Sequence, residues 1–93
     1  MIKLVDRTIW RGYDKIGWIE GNDIWSHENK KLGYVLANDI YNASGRKIAY
    51  LQDNFIKFED GSPSLNIEDN DRHIQGGSAD DLTKAAIRIF LGD

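Results

Sequence analysis

The sequence predicts a mostly β chain, a pseudo-four-fold array of antiparallel β-hairpin repeats of about 16 residues each, followed by one C-terminal α-helix. Three observations carry this. The stretch "DKIGWIEGNDIW" at 14–25 returns as "KKLGYVLANDIY" at 30–41 and again as "RKIAYLQDNFIK" at 46–57. Groups of turn-forming residues separate short apolar runs rich in Ile, Trp and Tyr, the composition of half-buried strands. Only the tail has apolar residues at helical spacing.

Residues 1–93 are expected to form one domain, with hairpins at about 8–20, 23–36, 39–52 and 54–61, an irregular insertion at 62–77 and a helix at 78–92. The turns argue for hairpins by their chemistry. "NASG" at 42–45 has Asn first and Gly fourth, which suits a type I turn closed by a left-handed residue in a G1 bulge. "SHEN" at 26–29 offers Asn29 for the same position. Gly12-Tyr13 suits a two-residue type II′ turn, which compensates for a first copy one residue shorter. Counting back from these turns places Ile9 opposite Ile16, Ile24 opposite Leu32 and Ile40 opposite Ile48.

Side chains alternate along a strand, so this register puts Ile24, Leu32 and Tyr34 on one face and Trp25, Gly33 and Val35 on the other. Both faces are substantially apolar, and the hairpins are therefore expected to pack against each other as well as around a common centre. Gly33 is expected to be covered by the Trp25 ring.

The fourth copy begins at "NFIKFEDG", 54–61, and then decays, since Ser64 stands where an isoleucine should face Ile56. Its partner strand could be Leu65–Ile67, His73–Gln75 or the N-terminal "MIKLV", and the last is favoured because it would remove two free sheet edges. In the tail, Ser78 is placed to cap a helix carrying a stripe of Leu82, Ala85, Ala86, Ile89 and Phe90. Ile87 and Leu91 lie off that stripe and suggest a second contact, such as a dimer partner.

The pattern of "IW" at 9–10, "KIGWI" at 15–19, "NDIW" at 22–25, "KLGYV" at 31–35, "NDIY" at 38–41 and "KIAYL" at 47–51 resembles the four-fold beta-flower domain family of small uncharacterised bacterial proteins. The resemblance covers residues 1–61 and implies a pseudo-four-fold arrangement of hairpin petals. It implies no catalytic residue, cofactor or activity. The fourth petal and Ala49 depart from the pattern.

Composition excludes several functions. A net charge of −3 without a cluster of Lys and Arg argues against a nucleic-acid surface. With no cysteine there is no disulfide and no thiolate metal site. No long apolar run suggests a membrane span or signal peptide, so a cytoplasmic chain is expected.

Candidate chemistry is sparse. His27 in a turn and His73 in the insertion are the only imidazoles, and neither has a companion at metal-ligand spacing. The acidic run "EDND" at 68–71 fails the calcium-loop pattern at His73 and Ile74. Asp23 and Asp39 adjoin Asn22 and Asn38, which favours a turn role for all four. "GGS" at 76–78 could hold an anion at the helix start but serves a simple turn equally well. No nucleophile or phosphate-loop motif occurs.

The recurring aromatic residues stand out, and Trp10, Trp25 and Tyr41 are the residues expected to contact a partner, with His27 and His73 as lesser candidates. The expectation is a non-enzymatic interaction module with a protein partner or self-association. No cofactor, metal or catalytic residue is assigned. A small-ligand binder using an aromatic or axial pocket is the alternative, and a small hydrolase-type enzyme built on His27 and His73 is a third reading.

Overall fold

A computed structural model of the chain describes residues 2–69, 74–76 and 80–92. The chain runs as a meander through β1 (Ile2–Val5), β2 (Thr8–Arg11), β3 (Asp14–Glu20), β4 (Asp23–Ser26), β5 (Lys31–Leu36), β6 (Asp39–Asn42), β7 (Lys47–Gln52), β8 (Phe55–Phe58) and β9 (Leu65–Asn66). A 3-10 turn (Ile67–Asp69), the short β10 (Ile74–Gln75) and helix α1 (Asp81–Leu91) follow. Among the described residues the strands form one sheet in the order β10-β1-β2-β3-β4-β5-β6-β7-β8-β9, antiparallel throughout except for the parallel β10·β1 pair.

Two kinds of turn join its strands, alternating from β3 onward. One is a two-residue turn at 6–7, 12–13, 21–22, 37–38 and 53–54, in which the first residue takes positive φ: 53° at Asp6, 62° at Gly12, 61° at Gly21, 55° at Ala37 and 57° at Asp53. That is the placement a type II′ turn requires. The other is the longer turn expected at 26–29 and 42–45. The Gly45 amide donates to the Asn42 carbonyl at 3.0 Å, and Gly45 holds φ of 87°. The Asn29 amide likewise donates to the Ser26 carbonyl at 3.1 Å, with φ of 64° at Asn29. The Asn42 side-chain oxygen accepts from the amides of Ser44 and Arg46, fixing the loop from inside. The links between hairpins are thus tight hairpins themselves, and the sheet is continuous where separate packed ribbons were expected.

The register differs from the count made from the turns. Ile9 faces Gly17, Ile24 faces Gly33 and Ile40 faces Ala49, while Trp10, Trp25 and Tyr41 face Lys15, Lys31 and Lys47. In each case the pairing slips by one residue after the isoleucine. Ile16, Leu32 and Ile48 are the additional residues of β-bulges, where two residues oppose one and the strand bends. They sit partly buried against the core, and the small residue after each takes the place opposite the isoleucine.

One slip of register moves side chains between faces. The inner face carries Ile9, Ile24, Ile40 and Ile56, each fully buried, with Gly17, Gly33, Val35 and Ala49 beside them. Fully burying an aliphatic chain of this size stabilises by about 1.5–3 kcal/mol. Helix α1 covers the middle of this face, touching β4, β5 and β6, with the 3-10 turn against it. The ring of Phe90, and not that of Trp25, lies over Gly33.

Asp80 is the helix cap, its carboxylate accepting from the Thr83 amide at 2.8 Å, and Ser78 lies outside the described residues. At the other end the Arg11 guanidinium, through Nη2, donates to the Leu91 carbonyl, a favourable place for a cation. Ile87 is fully buried and Leu91 is partly buried against the same core, so these off-stripe residues are covered within the chain.

The fourth outward strand finds its partner in the insertion. β8 pairs with β9, Ile56 opposite Leu65, while the favoured candidate, β1, pairs with β2 and β10. The decisive feature is the turn at 58–61, where the Gly61 amide donates to the Phe58 carbonyl and Gly61 holds φ of 82°. It reverses the chain, and the longer loop after it delays the return strand until Leu65.

Candidate functional site

With the isoleucines turned inward, the aromatic residues face outward, opposite the helix. Trp18 and Trp25 are cross-strand partners whose rings are parallel, with centroids 6.0 Å apart. Tyr34 and Tyr41 repeat the arrangement one hairpin on, at 5.0 Å and 10°. Offset stacks of this kind contribute about 0.5–1.5 kcal/mol beyond the area they bury. Trp10 and Tyr50 extend the row to either side, and all six rings are partly buried. The Trp25 Nε1–H is buried and finds no acceptor among the described residues, so stacking rather than hydrogen bonding orients that ring.

Three lysines lie over these rings. Lys15 Nζ is 5.4 Å from the centre of the Trp18 ring, Lys31 Nζ 4.8 Å from Tyr34 and Lys47 Nζ 4.9 Å from Tyr50. Each lysine stands three residues before its ring on a strand whose bulge lies between them, which brings ammonium and ring to the same face. Two of the three are also ion-paired, Lys31 with Asp23 at 3.3 Å and Lys47 with Asp39 and Glu59 at 3.5 Å each. Desolvation draws the Lys47 pKa down, but the carboxylates of Asp39 and Glu59 outweigh it and leave the group above the usual lysine value. Water and salt screen such exposed pairs, so they add little to stability.

Asp23 and Asp39 therefore serve as lysine partners at the starts of β4 and β6, a correction to the turn role expected for them. The turns themselves lie one step earlier, at 21–22 and 37–38, and the main-chain carbonyls of Asn22, Asn38 and Asn54 accept from the amides of Val35, Leu51 and Ile67.

Of the residues singled out in the sequence, Trp10, Trp25 and Tyr41 lie together on the outer face, each followed across the β-ladder by a lysine. His27 is exposed in the turn after β4, its amide donating to the Ile16 carbonyl at the first bulge. His73 lies outside the described residues, as do Asn70 and Asp71 of the acidic run and Gly77 and Ser78 of the helix approach. Among the described residues, no three His, Asp or Glu side chains gather closely enough to hold a metal ion.

The lysines were visible in the sequence as repeat positions, and no role was attached to them. Their signal is a Lys three residues before a Trp or Tyr, at Lys15, Lys31 and Lys47. That spacing puts the two on one face only where a bulge intervenes, and the bulge is what sequence counting overlooked.

Two hollows mark the surface, one beside the helix and one on the aromatic face. One, of about 580 Å³, has an apolar floor of Ile48, Phe58 and Ile89 and a rim that includes Arg46, Lys47 and Asp60. Hydrogen bonds from the Ser62 side chain and amide hold the Asp60 carboxyl below the usual aspartate range. The other hollow, of about 530 Å³, is lined by Arg7, Thr8, Lys15, Trp18, Ile19, His27 and Asn29. No family model, no curated protein and no solved structure matches this chain. Among the described residues no helix is long and apolar enough to cross a membrane.

Proposed function

We propose that this chain is a non-enzymatic interaction module that engages a protein partner, in the first instance a second copy of itself, through the outer face of its sheet. One observation carries the reading: six partly buried Trp and Tyr rings form a row across β2–β7 on the face turned away from α1. Aromatic rings held rigid by stacking and by lysine stems present large contact area at little entropic cost. The rim adds exposed apolar residues, Val5, Leu36 and Phe55, at the strand ends beside the two-residue turns. The same reading takes the recurring bulges and aromatic pairs as a 16-residue repeat in a pseudo-four-fold array and places the chain in the four-fold beta-flower family. A cytosolic protein without nucleic-acid partners accords with the net charge of −3.

The test is a dilution series of the full chain followed by sedimentation velocity and by the indole N–H signals of its tryptophans. Self-association through this face is expected to shift the Trp10 and Trp18 signals with concentration, and the doubly substituted Leu36→Lys, Phe55→Lys chain is expected to sediment as a monomer. A monomer at every concentration, with indole signals that do not move, would remove the reading.

A further inference from the structure

The three lysines of the outer face are equivalent in their surroundings except for one. Each belongs to a unit whose geometry the backbone defines: a two-residue turn whose second residue accepts from the strand two away, an outward residue after it, and a lysine beyond the bulge. The accepting carbonyls are those of Arg7, Asn22 and Asn38, bonded to the amides of Ile19, Val35 and Leu51 at 2.8, 3.0 and 2.8 Å. The outward residue that follows is Thr8, Asp23 or Asp39, opposite Trp18, Tyr34 or Tyr50 in the β-ladder. The lysines are Lys15, Lys31 and Lys47.

In the second and third units the outward residue is an aspartate, and it neutralises its lysine. In the first unit it is Thr8, so Lys15 has no carboxylate there. Among the described residues, neither Lys15 nor Arg7 makes an ion pair. The neighbouring positions change in the same direction. Arg7 replaces the asparagine of the turn, and His27 stands one strand pair over where the next turn has Ala43. These groups line one hollow of about 530 Å³, with the Trp18 ring and Ile19 as apolar wall and Asn29 as a further donor, and no acidic residue lines it.

We propose that this hollow binds a phosphate monoester, its phosphate taking the place that Asp23 and Asp39 occupy in the other two units. Two cations, a hydroxyl and an imidazole around a single opening match a dianion with several acceptor oxygens better than a monocarboxylate. The hollow is open to solvent, and the indole at its wall offers a surface for a flat or apolar ester group. The inference rests on the reading of the outer face as a binding surface but uses only its first unit, so a variant there leaves Val5, Leu36, Phe55 and Tyr41 untouched and the two readings fail separately.

The test is titration of the full chain with phenyl phosphate, inorganic phosphate and benzoate at matched ionic strength, by calorimetry and by the Trp18 indole and His27 signals. Phenyl phosphate is expected to bind more tightly than inorganic phosphate, both more tightly than benzoate, and all more weakly as salt rises. Thr8→Asp restores the carboxylate of the other units. It is expected to fold at least as stably as the parent chain and to weaken phenyl phosphate binding about tenfold or more, with Lys15→Gln producing a loss of the same size. Sedimentation of Thr8→Asp, which leaves the aromatic row and its lysines in place, is expected to keep the concentration dependence of the parent chain. Benzoate binding as tightly as phenyl phosphate, no response beyond a chloride control, or undiminished binding in either variant would overturn the proposal. Should Thr8→Asp fail to fold, Lys15→Gln alone decides, and equal affinity there overturns it too.

Discussion

At Gly33 the absence of a single methyl group lets the helix close on the sheet. The residue is buried opposite Ile24, and a Cβ placed on it would overlap both the Phe90 ring and the Tyr41 carbonyl. The ring could swing aside only by opening the contact between α1 and β5, and the carbonyl belongs to the neighbouring strand. Overpacking of this kind costs about 1–3 kcal/mol. Gly33→Ala is therefore expected to lower stability by about that amount, read as a drop in the urea midpoint at unchanged slope. Ala49 occupies the corresponding position opposite Ile40 in the next unit and is fully buried, so a methyl group is accommodated there. The departure of Ala49 from the glycine pattern, which in the sequence looks like decay of the repeat, follows where the helix lies. A Gly33→Ala chain as stable as the parent would mean that Phe90 moves freely and that the helix is less firmly seated than the burial of Ala85, Ala86 and Ile87 implies.

Among the elements, the turns were legible in the sequence and the register was not, for a physical reason. A turn that needs positive φ recruits Gly or Asn, and Gly12, Gly45 and Asn29 all sit where their letters suggested. A bulge needs no particular residue. Ile16, Leu32 and Ile48 look like any strand isoleucine or leucine, and counting from the turns passes over them, so the pairings beyond each bulge come out one residue off and Trp18, Tyr34 and Tyr50 fall on the face of the isoleucines, while the pairs nearer the turn, Trp10·Lys15, Trp25·Lys31 and Tyr41·Lys47, are as the count places them. The candidate aromatic residues survived because their recurrence did not depend on the register. The lysines above them went unassigned because their proximity did. Asp6 and Asp53 serve the same position with a turn-forming side chain, whereas Ala37 has none and holds φ of 55° where Gly21 serves the preceding link. A β-carbon in that region costs about 1–2 kcal/mol, part of which glycine returns as added freedom in the unfolded chain. Ala37→Gly is expected to raise stability by about 0.5–1 kcal/mol, seen as a higher urea midpoint, with no change at the aromatic face. A lower midpoint would show that the 36–39 link tolerates its alanine without strain.

For the whole molecule, the question is whether the sheet or the helix organises the core. Most strand pairings are between neighbours in the chain, a pattern that closes quickly and locally, so the meander could form before the tail arrives. Its inner face, however, cannot be left to solvent. Ile24 and Ile40 are fully buried on strands that α1 touches, the Phe90 ring closes over Gly33, and the fully buried Ile87 lies on the helix itself. The parallel pairing of β10 with β1 further ties the start of the chain to the approach to the helix. Uncovering two isoleucines forfeits about 3–6 kcal/mol, a large part of the stability a domain of this size commands. A chain ending at Gly76 is thus expected to keep local hairpin structure by circular dichroism but to lose its cooperative urea transition and to bind a hydrophobic dye. In the full chain, amide protons of α1 and of β4–β6 are expected to exchange together, through one common opening. Retention of a sharp transition by the shortened chain, or exchange of the helix well before the strands, would mean that the sheet stands alone and the helix is an attachment to it.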